Sequence, residues 1–323
     1  MLTINDVRVD DPQRCYVIAE AAGCHNRDYA TAKALVCAAA EAGADAVKFQ
    51  TFTDESICAD IPLPTGKDAE HDAWLKSLGV TRMRELFALG GLPRAWHAPL
   101  KTLAESLGLA FLSTGFSLDD LRFLVEDLGI PAIKIASGDI TFVPLLEYAA
   151  TTGLPILLST GAATYDEIRE ALRVINAARG LPQYGVFMED VAVLHCRCLY
   201  PCHSSLADLS VIAHLKSHFP AGAVGWSDHT VSVNLVPALA VSQGCTIIEK
   251  HLRLDGDTSS VDAQHSLSPR EFAHMVETVR KVPAILGDGK KEPVGREYHE
   301  RLWCRRGADW LRPTQAAREG AWE

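Results

Sequence analysis

The amino-acid sequence predicts an α/β chain folded as a (β/α)8 TIM barrel with a short C-terminal tail, and three observations predict it. Eight short apolar runs of strand length recur along the chain. Most are separated by stretches with helical apolar spacing. Each run ends in polar or charged residues that an ordinary core strand does not need. In a barrel of parallel strands the strand ends line one face, where the active site sits, so a ring of Glu, Lys, Ser, Thr, His and Asp there reads as an enzyme signature. A chain of 323 residues, 48% of them hydrophobic, is long enough for one such core, because α/β barrels fill about 250 residues as a single domain. The barrel is expected over residues 1–288 and the tail over 289–323.

The elements follow in order. CYVIAE ends at Glu20 and precedes the Ala-rich helical stretch Ala30 to Ala42. DAVKFQ carries Lys48 inside an apolar run, an unusual place for a solvated charge. Thr53 to Thr81, containing DIPLPTGKDAEHD, is rich in Pro and charge and predicts a loop on the rim. LAFLST brings Thr114, PAIKIAS brings Lys134 and Ser137, and PILLST brings Ser159. VAVLHC ends in His195 and Cys196, AVGWSDH in Asp228 and His229, and TIIEKH carries Glu249 and His251. Glu271 to Leu286 has the spacing of a closing helix, and from Gly287 the periodicity fades while Arg, Gly and Trp accumulate.

Composition narrows the partners. A net charge of -10 argues against a nucleic-acid surface or an anionic membrane, neither of which would be attracted over long range. The N-terminus has no basic segment followed by an apolar core, and no run approaches the roughly 18 apolar residues of a bilayer span. Nine cysteines without a regular framework suit a reducing compartment. A soluble, cytoplasmic protein is expected.

Two kinds of chemistry stand at the strand ends. Lys48 and Lys134, with Thr114, Ser137 and Ser159, offer two cations and three hydroxyls from neighbouring strands, a set suited to a phosphate group. His229 and His251 close consecutive strands with Glu249 and Asp228 close in sequence. They suit a divalent metal with open positions, Mn2+ first, with Mg2+ and Co2+ as alternates. HCRCLYPCH has the residue types of a zinc site, but His195 and Cys196 are adjacent on a strand and face opposite ways, so its five candidate ligands cannot all converge.

AEAAGCHNRD, GADAVKFQTF, FLSTGF, PAIKIASGD, PILLSTGAAT, LHCRCLYP, GWSDHT, IIEKH and VDAQHSLSP, taken in order, resemble the strand-end motifs of the N-acetylneuraminate (sialic acid) synthase family. The resemblance implies condensation of phosphoenolpyruvate with a sugar aldehyde, giving a 2-keto-3-deoxy acid and phosphate. It implies that Lys48, Thr114, Lys134, Ser137, Ser159 and Ser227 hold phosphoenolpyruvate and that His229 and His251 hold the metal. Glu20, Tyr200 and Asp262, joined by Glu249, would hold the sugar, while Asp139 or Glu20 would manage protons and Lys134 would act beside them. The departures lie mostly on the sugar side. Arg27 follows His25 and Asn26 where the family has Gly, and Ser259 to Ala263 replaces a PGPDH-like segment. Cys198 stands where the family usually has Asn, and the tail does not resemble the family's antifreeze-like domain. A variant acceptor is therefore expected, in a homodimer whose rim loop or tail covers the mouth. The competing readings are a Schiff-base aldolase on the same barrel and a non-catalytic sugar- or phosphate-binding derivative.

Overall fold

The computed structural model describes residues 1–66, 69–182, 188–219 and 222–320. They fall into two compact units, Met1–Ala284 and Ile285–Glu323. The first is built on a closed barrel of parallel strands: β1 (Tyr16–Glu20), β2 (Ala46–Thr51), β3 (Ala110–Gly115), β4 (Ile133–Ile135), β5 (Ile156–Ser159), β6 (Val191–Cys196), β7 (Val224–Asp228) and β8 (Ile247–His251). Each pairs with the next, and β8 pairs with β1. Every barrel strand falls on one of the eight predicted runs.

Side chains on a strand alternate between two faces. One phase, including Tyr16, Ile18, Leu112, Leu157, Leu194 and Ile247, fills the barrel interior. Thr3–Ile4 and Val7–Arg8 form an antiparallel hairpin, and Leu2, Ile4 and Val9 join the same interior cluster and close the strands' N-terminal end. The other phase, including Val17, Val47, Phe49, Phe111, Ile133 and Trp226, belongs to the core beneath the surrounding helices. Carried to the C-terminal end, the inner phase turns polar: Glu20, Lys48, Thr114, Lys134, Ser159, Ser227 and Glu249 all lie there, none more than 4% exposed. Register aligns them, with Glu20 opposite Lys48, Thr114 opposite Lys134, Ser227 opposite Glu249 and His251 opposite Glu20.

The helices follow local rules. In α1 (Tyr29–Glu41) the Asp28 carboxylate accepts the Thr31 N–H at 2.8 Å, satisfying a first-turn donor. In α2 (Tyr165–Ala178) Thr164 and Glu167 form a capping box. The closing α3 spans Pro269–Leu286.

One expectation needs correction. Thr53 to Thr81 is not wholly loop, because it contains the helices Asp54–Ile57 and Ala69–Leu78. The Pro and Gly punctuation pauses between Gly66 and Gly79, leaving a helix-compatible stretch between them; Lys67 and Asp68 lie outside the described residues. In the second unit EYHERLWC, free of Gly and Pro and with Glu297 and Glu300 in its first turn, forms the helix Glu297–Cys304. Gln315–Arg318 forms another, capped by Thr314, and Arg318 pairs with Asp309. Among the described residues no helix is long and apolar enough to cross a membrane.

Candidate active site

Two buried ammonium groups and two buried carboxylates meet at the barrel mouth. Lys48 pairs directly with Glu20, lies 3.6 Å from Glu249 Oε2, and donates to Thr114 Oγ1 at 3.2 Å. Lys134 donates to Ser159 Oγ at 2.7 Å and lies 3.9 Å from Glu249 Oε1, which accepts from Ser227 Oγ at 3.1 Å. Neighbouring strands thus converge as the sequence predicts for these residues. Ser137, on the turn after β4, accepts the Gly161 N–H at 2.8 Å, bringing the loops after β4 and β5 together beside Lys134.

Burial sets the electrostatics. Desolvation raises Glu20 to about 7 even with Lys48 opposing it, and the nearby Glu249 charge adds to the rise. Glu249 feels the same desolvation, but Lys134 and Lys48 outweigh it and hold its pKa below the usual carboxylate range. Burial works against the Lys48 charge, yet Glu20 and Glu249 overcome it and lift its pKa. For Lys134 burial wins, and the pKa falls despite Glu249. Asp139, half-buried beyond Ser137, is raised to about 6 by desolvation, with Lys134 opposing, and its Oδ2 has no hydrogen-bond partner.

Beside this cluster stand three imidazoles. His251 and His265 ring centroids lie 4.4 Å apart, and His229 lies 5.5 Å from His251 and 5.9 Å from His265. His251, Asp262 and His265 each offer a ligand atom within 4.8 Å of the others. Asp262 is oriented by the Gly23 N–H, which donates to its Oδ2 at 2.8 Å. His229 Nδ1–H donates to the Arg197 carbonyl at 2.7 Å, which leaves its Nε2 as the lone-pair nitrogen. The buried His251 Nδ1 has no hydrogen-bond partner, and His265 Nε2, also without a hydrogen bond, lies 3.5 Å from Asp262 Oδ1. Desolvation lowers His229 and His265 to about 4 and His251 well below its usual value, so all three are neutral at pH 7. Neutral imidazoles whose nitrogens lack hydrogen bonds, beside a carboxylate, fit a divalent cation.

Tyr200 leans over the imidazoles, its ring centroid 4.2 Å from His229 and 5.2 Å from His265. His265 is the site residue the motifs did not assign. VDAQHSLSP contains it, but only the fold after β8 brings it to His251. Two strand-end residues point elsewhere. His195 bonds the Ala207 carbonyl at 2.9 Å and packs on Trp226. Asp228 pairs at 2.9 Å with Lys250, itself wholly buried on the helix-facing side. The HCRCLYPCH residues therefore do not converge as one zinc site. All nine cysteines are free.

Fold and site together define the class: a (β/α)8 barrel whose mouth joins a buried lysine and hydroxyl pocket to a cluster of imidazoles and a carboxylate with the chemistry of metal ligands. The chain belongs to the NeuB family, whose description matches residues 35–291. It is 39% identical over 293 residues to N,N'-diacetyllegionaminic acid synthase of Legionella pneumophila, covering 90% of this chain and 79% of that one. It is 33% identical over 281 residues to pseudaminic acid synthase of Helicobacter pylori, covering 86% and 76%. Among solved structures, an N-acetylneuraminic acid (sialic acid) synthetase from Leptospira borgpetersenii in complex with citrate superposes with a TM-score of 0.75 at 30% identity, covering 93% of this chain and 94% of that one.

Proposed function

We propose that this protein condenses phosphoenolpyruvate with a sugar-derived aldehyde, of the N-acetylated hexosamine kind, to give a 2-keto-3-deoxy acid and phosphate. The observation that carries the reading is the convergence of Lys48 and Lys134, with Thr114 and Ser159, directly beside the imidazole and carboxylate cluster. The names of the similar synthases support it.

In this reading the two lysines, with Thr114, Ser137, Ser159 and Ser227, fix phosphoenolpyruvate so that its C3 faces the acceptor carbonyl. An incoming anion competes with Glu20 for Lys48, and Glu20, close to neutrality at pH 7, takes up a proton and releases the ammonium. Glu20, Tyr200, Asp262 and Glu249 hold the acceptor. His229 and His251, joined here by Asp262 and His265, would hold a divalent metal, Mn2+ by preference. When bound, that metal polarises the acceptor carbonyl. C3 attacks the aldehyde carbon, and the alkoxide that forms takes the proton carried by Glu20. Water adds at C2 with Asp139 taking its proton, and phosphate leaves with C–O cleavage, carrying off the C2 hydroxyl proton as the keto group forms.

A homodimer, a cytoplasmic setting and a tail over residues 289–323 separate from the synthase barrel complete the proposal. The free cysteines support the setting. The test is to supply phosphoenolpyruvate, Mn2+ and a panel of N-acetylated hexosamines, and to follow phosphate and keto-acid together. Stoichiometric appearance of both is expected with one acceptor. Failure of every aldehyde, in a protein that binds phosphoenolpyruvate and metal, would remove the condensation and leave a binding role.

A further inference from the structure

Cys196 ends β6 with its side chain in the barrel mouth, 3.8 Å from His229 Nδ1, and Cys198 follows two residues later, just past the strand. Gly161 shows how closely their sulfurs approach. A Cβ placed there would lie 2.7 Å from Cys198 Sγ, 3.1 Å from Cys196 Sγ and 2.9 Å from Ser137 Oγ. Both sulfurs therefore crowd over one point on the wall of the pocket, beside the serine that accepts the Gly161 N–H. Cys198 is exposed, whereas Cys196 is 3% exposed. An accessible thiol thus stands in front of a buried one.

We propose that Cys196 and Cys198 are a modification site, a dithiol that peroxide or a small-molecule disulfide converts to an intramolecular disulfide, closing the pocket to phosphoenolpyruvate. This rests on the reading of that pocket given above. With hydrogen peroxide as oxidant, the Cys198 sulfur attacks one oxygen, the O–O bond breaks, and a sulfenic acid and one water form. The Cys196 sulfur then attacks that sulfenic sulfur, the S–S bond forms, and a second water leaves with the Cys196 proton. Two thiols lose two electrons in all, and peroxide gains them.

The bond would act at two places. Residues i and i+2 of an extended chain lie roughly 6.7 Å apart, near the upper limit of about 6.8 Å for disulfide Cα atoms, so closure draws the Cys196 to Cys198 segment together. Ser137 then loses thiol neighbours. The Arg197 carbonyl, which orients His229 by a 2.7 Å hydrogen bond, lies between the two cysteines and moves with them.

The full chain is treated with graded hydrogen peroxide, its remaining thiols are alkylated, and the peptide holding both cysteines is weighed. Phosphoenolpyruvate affinity is measured by calorimetry in parallel. The expected result is loss of two hydrogens from that peptide, an affinity at least ten-fold weaker, recovery of both on adding dithiothreitol, and slower oxidation under saturating phosphoenolpyruvate. Cys198→Ser and Cys196→Ser should each abolish the two-hydrogen loss and the peroxide-dependent change in affinity, whatever their starting affinity. Oxidation that only adds oxygen to Cys198, or an S–S bond that leaves affinity unchanged, would overturn the proposal. If the reduced protein binds no phosphoenolpyruvate, the functional reading fails and the effect on binding fails with it, while the peptide mass alone decides whether the dithiol forms its bond.

Discussion

Replacing Lys134 by Met tests the anion pocket with the least structural disturbance. The Lys134 ammonium is 4% exposed, donates to Ser159 Oγ at 2.7 Å, and lies 3.9 Å from its nearest carboxylate, Glu249. Its pKa is lowered by burial, so at neutral pH its charge opposes folding. Lys134→Met should therefore leave thermal stability nearly unchanged, while losing a charged hydrogen bond to phosphoenolpyruvate of about 1.5–3 kcal/mol, or roughly 10- to 150-fold in Kd. Lys48→Met provides the contrast. The Lys48 pKa is raised by Glu20 and Glu249, so its contribution to stability is fully present below the ordinary lysine pKa and is lost only as pH rises through the higher folded value. Removing it breaks a buried pair and should destabilise toward the lower end of about 3–5 kcal/mol, because Glu20 can take up a proton. Calorimetric titration with phosphoenolpyruvate and thermal melts at pH 7 read both effects. A folded Lys134→Met variant with wild-type affinity would show that this lysine does not hold the anion, and equal melting losses in the two variants would refute the electrostatic reasoning.

Three further outcomes are expected. Asp139, raised to about 6, should give a maximal rate that climbs as pH rises through about 6; Asp139→Asn should depress that rate and flatten the climb. Because the folded pKa lies above the unfolded one, wild-type stability should fall relative to Asp139→Asn between about pH 4 and pH 6, which melts at both pH values will show. His251→Ala should bind less than one-tenth of the wild-type Mn2+ by metal analysis while keeping its far-ultraviolet dichroism, and chelation should silence the wild-type enzyme until Mn2+ is returned. Gly225→Ala places a Cβ 2.9 Å from Leu194 Cγ and 3.0 Å from the Ile247 carbonyl oxygen, so overpacking should cost about 1–3 kcal/mol in a denaturant melt.

Much of the fold was legible because a barrel strand writes two signals at once. Alternation gives its faces, and the switch from Ile18 to Glu20, Leu112 to Thr114 or Leu157 to Ser159 on the inner face marks the end that opens to substrate. Lys48 and Lys134 were legible for the same reason, being charges inside apolar runs. His265 was not, since it lies on a short 3-10 turn after β8 whose position relative to His251 is fixed by tertiary packing and not by any period. Asp228 and His195 show the limit of reading strand ends without their phase. Each is one residue out of step with an inner-facing neighbour, Ser227 or Cys196, and turns toward the helices. The helix Ala69–Leu78 was hidden by its neighbours, because the Pro-rich and charged residues before it dominate any window that spans both.

The lowering of the Lys134 pKa by burial runs in the direction a Schiff-base aldolase would need, because a neutral amine is the nucleophile. The surroundings oppose that use. Ser159 Oγ at 2.7 Å and the Ile135 carbonyl at 3.2 Å both accept from Nζ, which occupies two of the ammonium's three donors and holds it where an anion can take the third. Lys48 is the poorer nucleophile still, because Glu20 and Glu249 keep its charge. Borohydride added with pyruvate or another keto acid should therefore trap no adduct, while phosphoenolpyruvate consumption with a productive aldehyde continues in the untreated protein. The measurement is intact mass followed by peptide mapping. A reduced adduct on the peptide containing Lys134 would sink the condensation mechanism in favour of the aldolase, whereas an adduct confined to exposed lysines would reflect surface chemistry and leave the mechanism standing.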